Sequence, residues 1–246
     1  MRIVIVGATS GIAERCARLW ATRGPAAMVL VARDAPRVER VAADLRVRAP
    51  GAAVTTVVTD LRAAMDVRAI VDAIVADGSP DVVLIAHGAL PDQPRCQSDT
   101  DAARDALDIN GVSPVLFAEA FAAHLEQAGR GTLAIIGSVA GDRGRKSNYV
   151  YGAAKGLVAR YAQGLQHRFA KTGVRVVLVK PGPTDTPMTA HLKQAGARLA
   201  DADAVAAAIV RAVARGTPVL YAPAKWWLIM QVIRHLPSRI FNRLGL

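Results

Sequence analysis

Tyr151 and Lys155 stand four residues apart, which places both side chains on one face of a helix. A free phenol titrates near ~10, too high for easy proton exchange at neutral pH. An ammonium held close favours the phenolate and lowers that value. The pair therefore reads as a general acid or base, although the same spacing also occurs on ordinary helix surfaces. Ser138 lies thirteen residues upstream, at the end of an apolar run. That is the carboxyl edge of a sheet, where ligands bind in α/β architectures. Asn110, followed by Gly111, interrupts a helical pattern from Asp101 to Gln127 and predicts a kink or a purposeful polar insertion.

These side chains need elements to hold them. Arg2 to Val6 is an apolar strand, followed by Gly7-Ala8-Thr9-Ser10-Gly11-Ile12-Ala13 and a helical pattern through Cys16, Leu19 and Trp20. Strand, glycine turn and helix together form the context of a dinucleotide-binding turn. Gly7 permits the turn, and Gly11 lets backbone approach a pyrophosphate at the helix N-terminus. A plain structural turn is the competing reading of this G-x-x-x-G spacing. The second strand, Met28 to Ala32, ends at Arg33-Asp34. Arg33 suits a 2′-phosphate and favours NADP over NAD. Asp34 reads as the cap of a helix starting near Ala35 and Pro36.

The third strand, Val54 to Val58, closes with Thr59-Asp60-Leu61. Asp60 is read either as an acceptor for an adenine amino group or as the cap of a helix from about Ala63 to Ala76. Asp81 to Ala86 leads into His87-Gly88-Ala89, where Gly88 lets backbone pass close to a ligand. His87 reads as a packed residue before it reads as a base. Thr132 to Ile136 ends at Gly137-Ser138, and Val174 to Val179 runs into Lys180-Pro181-Gly182-Pro183-Thr184-Asp185-Thr186, a loop suited to a flat ring. Residues 187–200 read as a substrate lid. Asp201 caps a helix from Ala202 to Arg215, and Pro218 to Tyr221 is a seventh strand. Strands alternating with helices predict one α/β unit, a doubly wound parallel sheet with helices on both faces. It spans residues 1–222, with 223–246 as an amphipathic tail.

Hydrophobic residues make up 52% of the 246, ample for a core and too many for a disordered chain. Cys16 and Cys96 lack metal-ligand spacing, so no metal is expected, and two distant cysteines suggest a reducing compartment. The first strand leaves no room for a signal peptide, and no apolar run reaches the ~18 residues of a spanning helix. The expectation is a cytoplasmic protein. The net charge of +11 is mostly arginine. An anionic cofactor or membrane surface would explain it functionally, and nucleic acid is not expected, because no nucleic-acid-binding signature is present. Arg143, Arg145 and Lys146 crowd one loop, read as a solvated turn or as a phosphate-facing rim. The tail from Trp226 to Ile233 is almost wholly apolar, and Arg234, His235, Arg239 and Arg243 follow. That composition suits a helix in a membrane interface, an oligomer contact or a cap over a substrate pocket.

In order along the chain, the glycine turn, Asp60, Asn110, Ser138, Tyr151, Lys155 and the Pro181-Gly182 loop resemble the short-chain dehydrogenase/reductase family. The resemblance covers nearly the whole chain. It implies a Rossmann-type fold, an oxidoreductase acting on alcohols and carbonyls, and a homo-oligomer. It implies a catalytic tetrad of Asn110, Ser138, Tyr151 and Lys155. NADP(H), with NAD(H) as second choice, would be held by Gly7, Thr9, Ser10, Gly11, Ile12, Arg33, Asp60, Leu61 and Gly88, then by Tyr151, Lys155, Pro181, Gly182, Thr184 and Thr186. Ala13 replaces the third glycine of the family, and Ile85-Ala86-His87-Gly88 replaces its usual Asn-rich motif.

Within the family, three stretches look similar to reductases of polyprenyl-phosphate-linked keto sugars. They are 145–152, 188–193 and 233–241. This implies a lipid-linked keto-sugar substrate met by Arg143, Arg145, Lys146 and His191. It also implies a partner oxidase in a two-step epimerisation, a place in cell-wall synthesis, and a position on the inner face of the membrane. Another small or lipid-like carbonyl is the alternative substrate. A non-catalytic NADP-binding sensor is the alternative of another class.

Overall fold

Successive residues of a strand point to opposite faces, so a strand covered on both sides must be apolar at every position. In β1 (Arg2–Val6), Ile3 and Ile5 enter one core while Val4 and Val6 enter another. β2 (Ala27–Ala32) divides in the same way, Met28 and Leu30 to one side, Val29 and Val31 to the other. The computed structural model describes residues 1–24, 27–62 and 66–244.

Beside β2 lies β3 (Ala53–Val58), and on the far side of β1 follow β4 (Val82–Ile85), β5 (Arg130–Ile136), β6 (Gly173–Pro181) and β7 (Val219–Ala222). The sheet order is β3-β2-β1-β4-β5-β6-β7, with every pair parallel. The chain winds outward in both directions from β1 and β4, as in a Rossmann-type fold. The expected doubly wound sheet is therefore the observed one, with strand ends shifted by one or two residues.

α1 (Gly11–Ala21) and α2 (Ala35–Arg48) cover one face, burying Cys16, Trp20, Val38 and Leu45. α3 (Val67–Val75) covers the other through Val71 and Ile74. α4 (Gln93–Ser98) and α5 (Thr100–Leu107) lead into a π-helical turn, Asp108–Val112, and α6 (Ser113–Ala128). α7 (Tyr149–Arg168) follows β5. α6 and α7 join α3 through Phe117, Phe121, Val158 and Leu165. α8 (Ala190–Gln194) is a short turn, α9 (Ala202–Arg215) packs beside α1, and α10 (Lys225–His235) and α11 (Ser238–Phe241) form the tail.

Local chemistry explains most of the boundaries. The Asp34 carboxylate accepts from Arg37 N at 2.9 Å and caps α2. Asp201 caps α9, and Gly216 ends it with φ +68°. The cap of α3 is Asp66, which accepts from Ala69 N at 3.0 Å, while Asp60 accepts from Arg62 N at 3.1 Å. The anticipated start near Ala63 lies outside the described residues. The long helical pattern from Asp101 is real but contains one extra residue per turn at Asp108–Val112. Pro114 lacks an N–H there, and the Asn110 amide takes the Ala106 carbonyl. Among the described residues, Thr100–Ala128 is the one run long and apolar enough to cross a membrane, and Phe117, Phe121 and Leu125 bury it in the core instead.

The two strands at which the winding reverses end side by side. Gly7 sits there with φ +83°, and a Cβ on it would lie 2.5 Å from His87 N. Gly7→Ala therefore meets both a left-handed backbone penalty and a backbone clash. We expect a loss of about 2–4 kcal/mol in urea unfolding. A loss below ~1 kcal/mol would mean that the turn relaxes freely.

Candidate active site

α7 carries Tyr151 and Lys155 because its inner edge has almost no side chains. A Cβ on Gly152 would stand 2.9 Å from Ala140 O, and one on Gly141 would stand 2.6 Å from the carbonyl carbon of Lys155. The 3₁₀ turn Val139–Gly141 therefore abuts the helix directly. Ser138 Oγ accepts from Ala140 N at 3.1 Å and is hydrogen-bonded to the Tyr151 hydroxyl. Lys155 is buried, donates to Ile136 O at 3.1 Å, and lies 5.8 Å from the Tyr151 ring centre. At the head of the helix, Gln93 Oε1 accepts from Val150 N at 3.1 Å, because Asn148 makes no side-chain cap.

Asn110 is fully buried in the π-turn. Its Oδ1 accepts from Ala89 N at 2.9 Å and its Nδ2 donates to Ala106 O at 2.9 Å. The side chain thus braces the exit of β4 against the helix. Asn110 Oδ1 and Lys155 Nζ both border the space that a Gly88 side chain would fill. The structure therefore brings all four tetrad candidates to the carboxyl end of the sheet.

The electrostatics differ from the sequence expectation. Burial pushes the Tyr151 phenol above its ordinary value, and only the Ser138 hydrogen bond pulls it down. Burial lowers the Lys155 ammonium to about 8. The lysine was expected to lower the tyrosine; in this site desolvation is the dominant influence and Ser138 the contact that opposes it. Tyr151 is thus held as a neutral acid. His87 is no base. Burial, and then the Lys155 charge, push it down to about 3. Its Nε2 lies 2.9 Å from Ser113 Oγ, and that hydroxyl donates to Leu61 O. The proton then belongs on Nε2, and Nδ1 is the bare, unpartnered atom.

The glycine turn fits a dinucleotide phosphate. Ser10 makes no side-chain cap on α1, so the first-turn N–H groups of Gly11, Ile12 and Ala13 remain open to an anion. A Cβ on Gly11 would meet Thr186 at 3.2 Å, so the loop after β6 closes over the turn. A cavity of about 500 Å³ opens between Arg33, Asp60, Arg62 and Ala89. Asp60 is held there by Arg62, with Nη2 to Oδ2 at 2.6 Å, which keeps its carboxyl below the usual range. Arg33 is exposed, with Arg37 one turn on donating to Thr9 O at 3.4 Å. Leu61 is buried. Thr184 is turned inward to Gly182 O at 2.9 Å, and Thr186 pairs with Thr189.

The expected basic rim is only partly free. Arg143 Nη1 donates to Ile233 O and Leu236 O at 2.6 Å each, and its guanidinium lies 3.8 Å over the Phe241 ring. It caps the end of α10 and does not face a substrate. Arg145 is half-buried, which lowers its pKa, while Lys146 and His191 are exposed. The anticipated lid over residues 187–200 is a 3₁₀ turn, Pro187–Thr189, and α8.

Contacts not anticipated from sequence complete the wall. Lys180 and Asp142 form a buried ion pair at 2.5 Å, and Tyr221 OH donates to the other carboxylate oxygen at 2.8 Å. The indole Nε1 edge of Trp226 lies against Gly182, where no side chain would fit. The advance signal for the ion pair was Lys180, a cation directly after the apolar run of residues 176–179.

The short chain dehydrogenase family profile matches residues 1–197. An uncharacterized oxidoreductase of Streptomyces coelicolor is 35% identical over 98% of this chain and 95% of its own. The cis-4-hydroxycyclohexanecarboxylate dehydrogenase of Sinomonas cyclohexanicum is 34% identical over 77% of this chain and 75% of its own. Among solved structures, the bulky-bulky ketone specific alcohol dehydrogenase of Comamonas testosteroni superposes with a TM-score of 0.82 at 25% identity, covering 99% of this chain and 94% of that one. A short-chain dehydrogenase of Sphingobium yanoikuyae in complex with NADPH gives 0.82 at 26% identity, with 96% coverage of both.

The Lys155 shift sets a pH dependence. Its ordinary value is 10.5 and its folded value about 8. Between these the unfolded chain binds more protons, so this residue's contribution to stability rises with pH. Below about 8 the buried charge opposes folding by up to ~3 kcal/mol. Lys155→Met should therefore be more stable than the parent at pH 7, and the difference in urea unfolding free energy should shrink toward pH 10. A difference that stays constant over this range removes the assignment.

Proposed function

The chain belongs to the short-chain dehydrogenase family and is an oxidoreductase; from that premise we propose that it reduces a ketone to a secondary alcohol, with Tyr151 as proton donor. The observation that carries this reading is the neutral, half-buried Tyr151 hydrogen-bonded to Ser138 beside the buried Lys155. The glycine turn, Arg33 and the Pro181-Gly182 loop would hold NADP(H). When bound, the nicotinamide supplies the hydride.

The protein's own part is to bind, orient and supply a proton. Ser138 Oγ is placed to donate to the carbonyl oxygen, stabilising charge as it develops. The Tyr151 hydroxyl gives its proton to that oxygen. Lys155 then has two tasks. Its ammonium offsets the phenolate as it forms, and its midpoint of about 8 lets it exchange protons near neutrality. Asn110 positions the Lys155 end of the site through Ala89 and Ala106. Its amide is largely engaged, so a water link to solvent would have to use the second lone pair of Oδ1 or a π-turn carbonyl. The sensor reading is less well supported, because a binding module has no use for Ser138, Tyr151 and Lys155 converging.

For the substrate, the finer reading is a keto sugar on polyprenyl phosphate. Its support is the similarity of 145–152, 188–193 and 233–241 to decaprenylphosphoryl-2-keto-β-D-erythro-pentose reductase, with the positions of Arg145 and Lys146 before α7. An oxidase would supply the keto sugar. A bulky free ketone is the second reading, favoured by the similarity to a dehydrogenase specific for such ketones.

Two experiments bear on this. Tyr151→Phe should lower kcat for ketone reduction by about a thousandfold or more while NADPH still binds; full turnover would remove the mechanism. Arg33→Ala should raise the KM for NADPH about tenfold and leave NADH use within about twofold. An unchanged NADPH preference would place the 2′-phosphate elsewhere. Assaying the parent on a polyprenyl-phosphate keto sugar against bulky free ketones separates the two substrate readings.

A further inference from the structure

We propose that the outer face of α10 docks on an anionic lipid bilayer. This goes beyond the reduction itself, because it concerns where the enzyme sits and not what it reduces. α10 is apolar nearly all round, with Trp226, Trp227, Leu228, Ile229, Met230, Val232 and Ile233 in one helix. A helix of that kind is ordinarily covered on every side. Here only one side is covered. Trp226, Met230 and Ile233, spaced four and three apart, pack with Val139 and Tyr221. On the opposite side Leu228 is 64% exposed and Val232 58%, with Trp227 at 55% on the flank. Ile240 on α11 is 52% exposed. Residues two before and two after Met230 project away from it on a helix, so Leu228 and Val232 face outward together.

Charge selects the occupant. After Asp203 the chain contains no aspartate or glutamate, whereas Lys225, Arg239 and Arg243 flank the apolar face and are exposed, Arg234 being engaged with the Tyr221 hydroxyl. A second copy related by a twofold axis would bring the same cations to the same seam, with no carboxylate in that segment to meet them. An anionic headgroup layer neutralises them, while its acyl boundary takes Leu228, Val232 and the indole of Trp227.

The inner side of the helix makes the docking relevant to the site. Trp226 lies against Gly182, and Arg143 holds the carbonyls of Ile233 and Leu236. A bilayer on the outer face would therefore lie one helix thickness from the loop after β6.

The test uses the intact protein and vesicles. The parent should sediment with phosphatidylglycerol/phosphatidylcholine vesicles at least about tenfold more tightly than with phosphatidylcholine alone. About 0.5 M salt should weaken that binding. Leu228→Asp combined with Val232→Asp should lower vesicle affinity about tenfold or more, with reduction of a soluble ketone kept within about twofold of the parent. Retained turnover shows that the variant is folded, and the vesicle result stands whichever carbonyl proves to be the substrate. Absence of vesicle binding by the parent, or equal binding by the variant, overturns the proposal. So does a parent dimer that the variant converts to monomer without vesicle binding, which would assign the face to a second copy.

Discussion

Helix α7 can present Tyr151 and Lys155 only because backbone meets backbone along its inner edge. Gly141 touches the Lys155 carbonyl, Gly152 touches the Ala140 carbonyl, and Gly111 in the π-turn lies against Ala154. Any side chain at these points would lift the helix by the thickness of a methyl group or more. Lys155 Nζ would then lose Ile136 O, and Tyr151 would leave Ser138. The chemistry thus depends on close packing of three chain segments. The same closeness produces the burial that raises the tyrosine and lowers the lysine.

That coupling explains the pattern of perturbed groups. Desolvation disfavours charge on either side chain, so a close Tyr–Lys pair does not become a phenolate–ammonium pair by default. It remains a neutral acid beside an ammonium that titrates close to neutrality. His87 is driven further, because it is buried and also faces the Lys155 charge. It is left as a neutral spacer whose Nε2–H reaches Ser113 and, through it, Leu61 O. The exit of β4 is thereby tied to the segment following β3. The same two segments border the cavity at Arg33 and Asp60.

Much of this was legible in the sequence wherever a residue's role is set by its neighbours along the chain. The doubly buried strands announce themselves as unbroken apolar runs, and β1 was placed at Arg2–Val6. Asp34 and Asp201 were legible as caps because a cap acts over three residues. Asp60 was open between two roles; its carboxylate is held by Arg62, and the cap of α3 falls to Asp66. What stayed hidden is what spans the chain. No spacing rule joins Arg143 to carbonyls about ninety residues away, Trp226 to Gly182, or Lys180 to Asp142. The direction of the Tyr151 shift was hidden for the same reason, since burial is a property of the assembled site.

The Lys180–Asp142 pair shows what such long-range contacts contribute. Two charges removed from water lose much of what their attraction returns, so a buried pair is weak support for stability. Its value here is geometric. Lys180 immediately precedes Pro181-Gly182, Asp142 immediately follows the turn that seats α7, and Tyr221 stands at the foot of the tail. One carboxylate thus fixes the relative positions of three segments that border the site. Its neighbour Arg143 points the other way and holds the far end of α10. Adjacent residues of opposite charge therefore link the loop after β6 to the tail through a single peptide unit. A displacement of α10 would therefore act on Arg143 and, through the adjoining peptide, on Asp142 and its partner Lys180, beside the segment that Trp226 already touches.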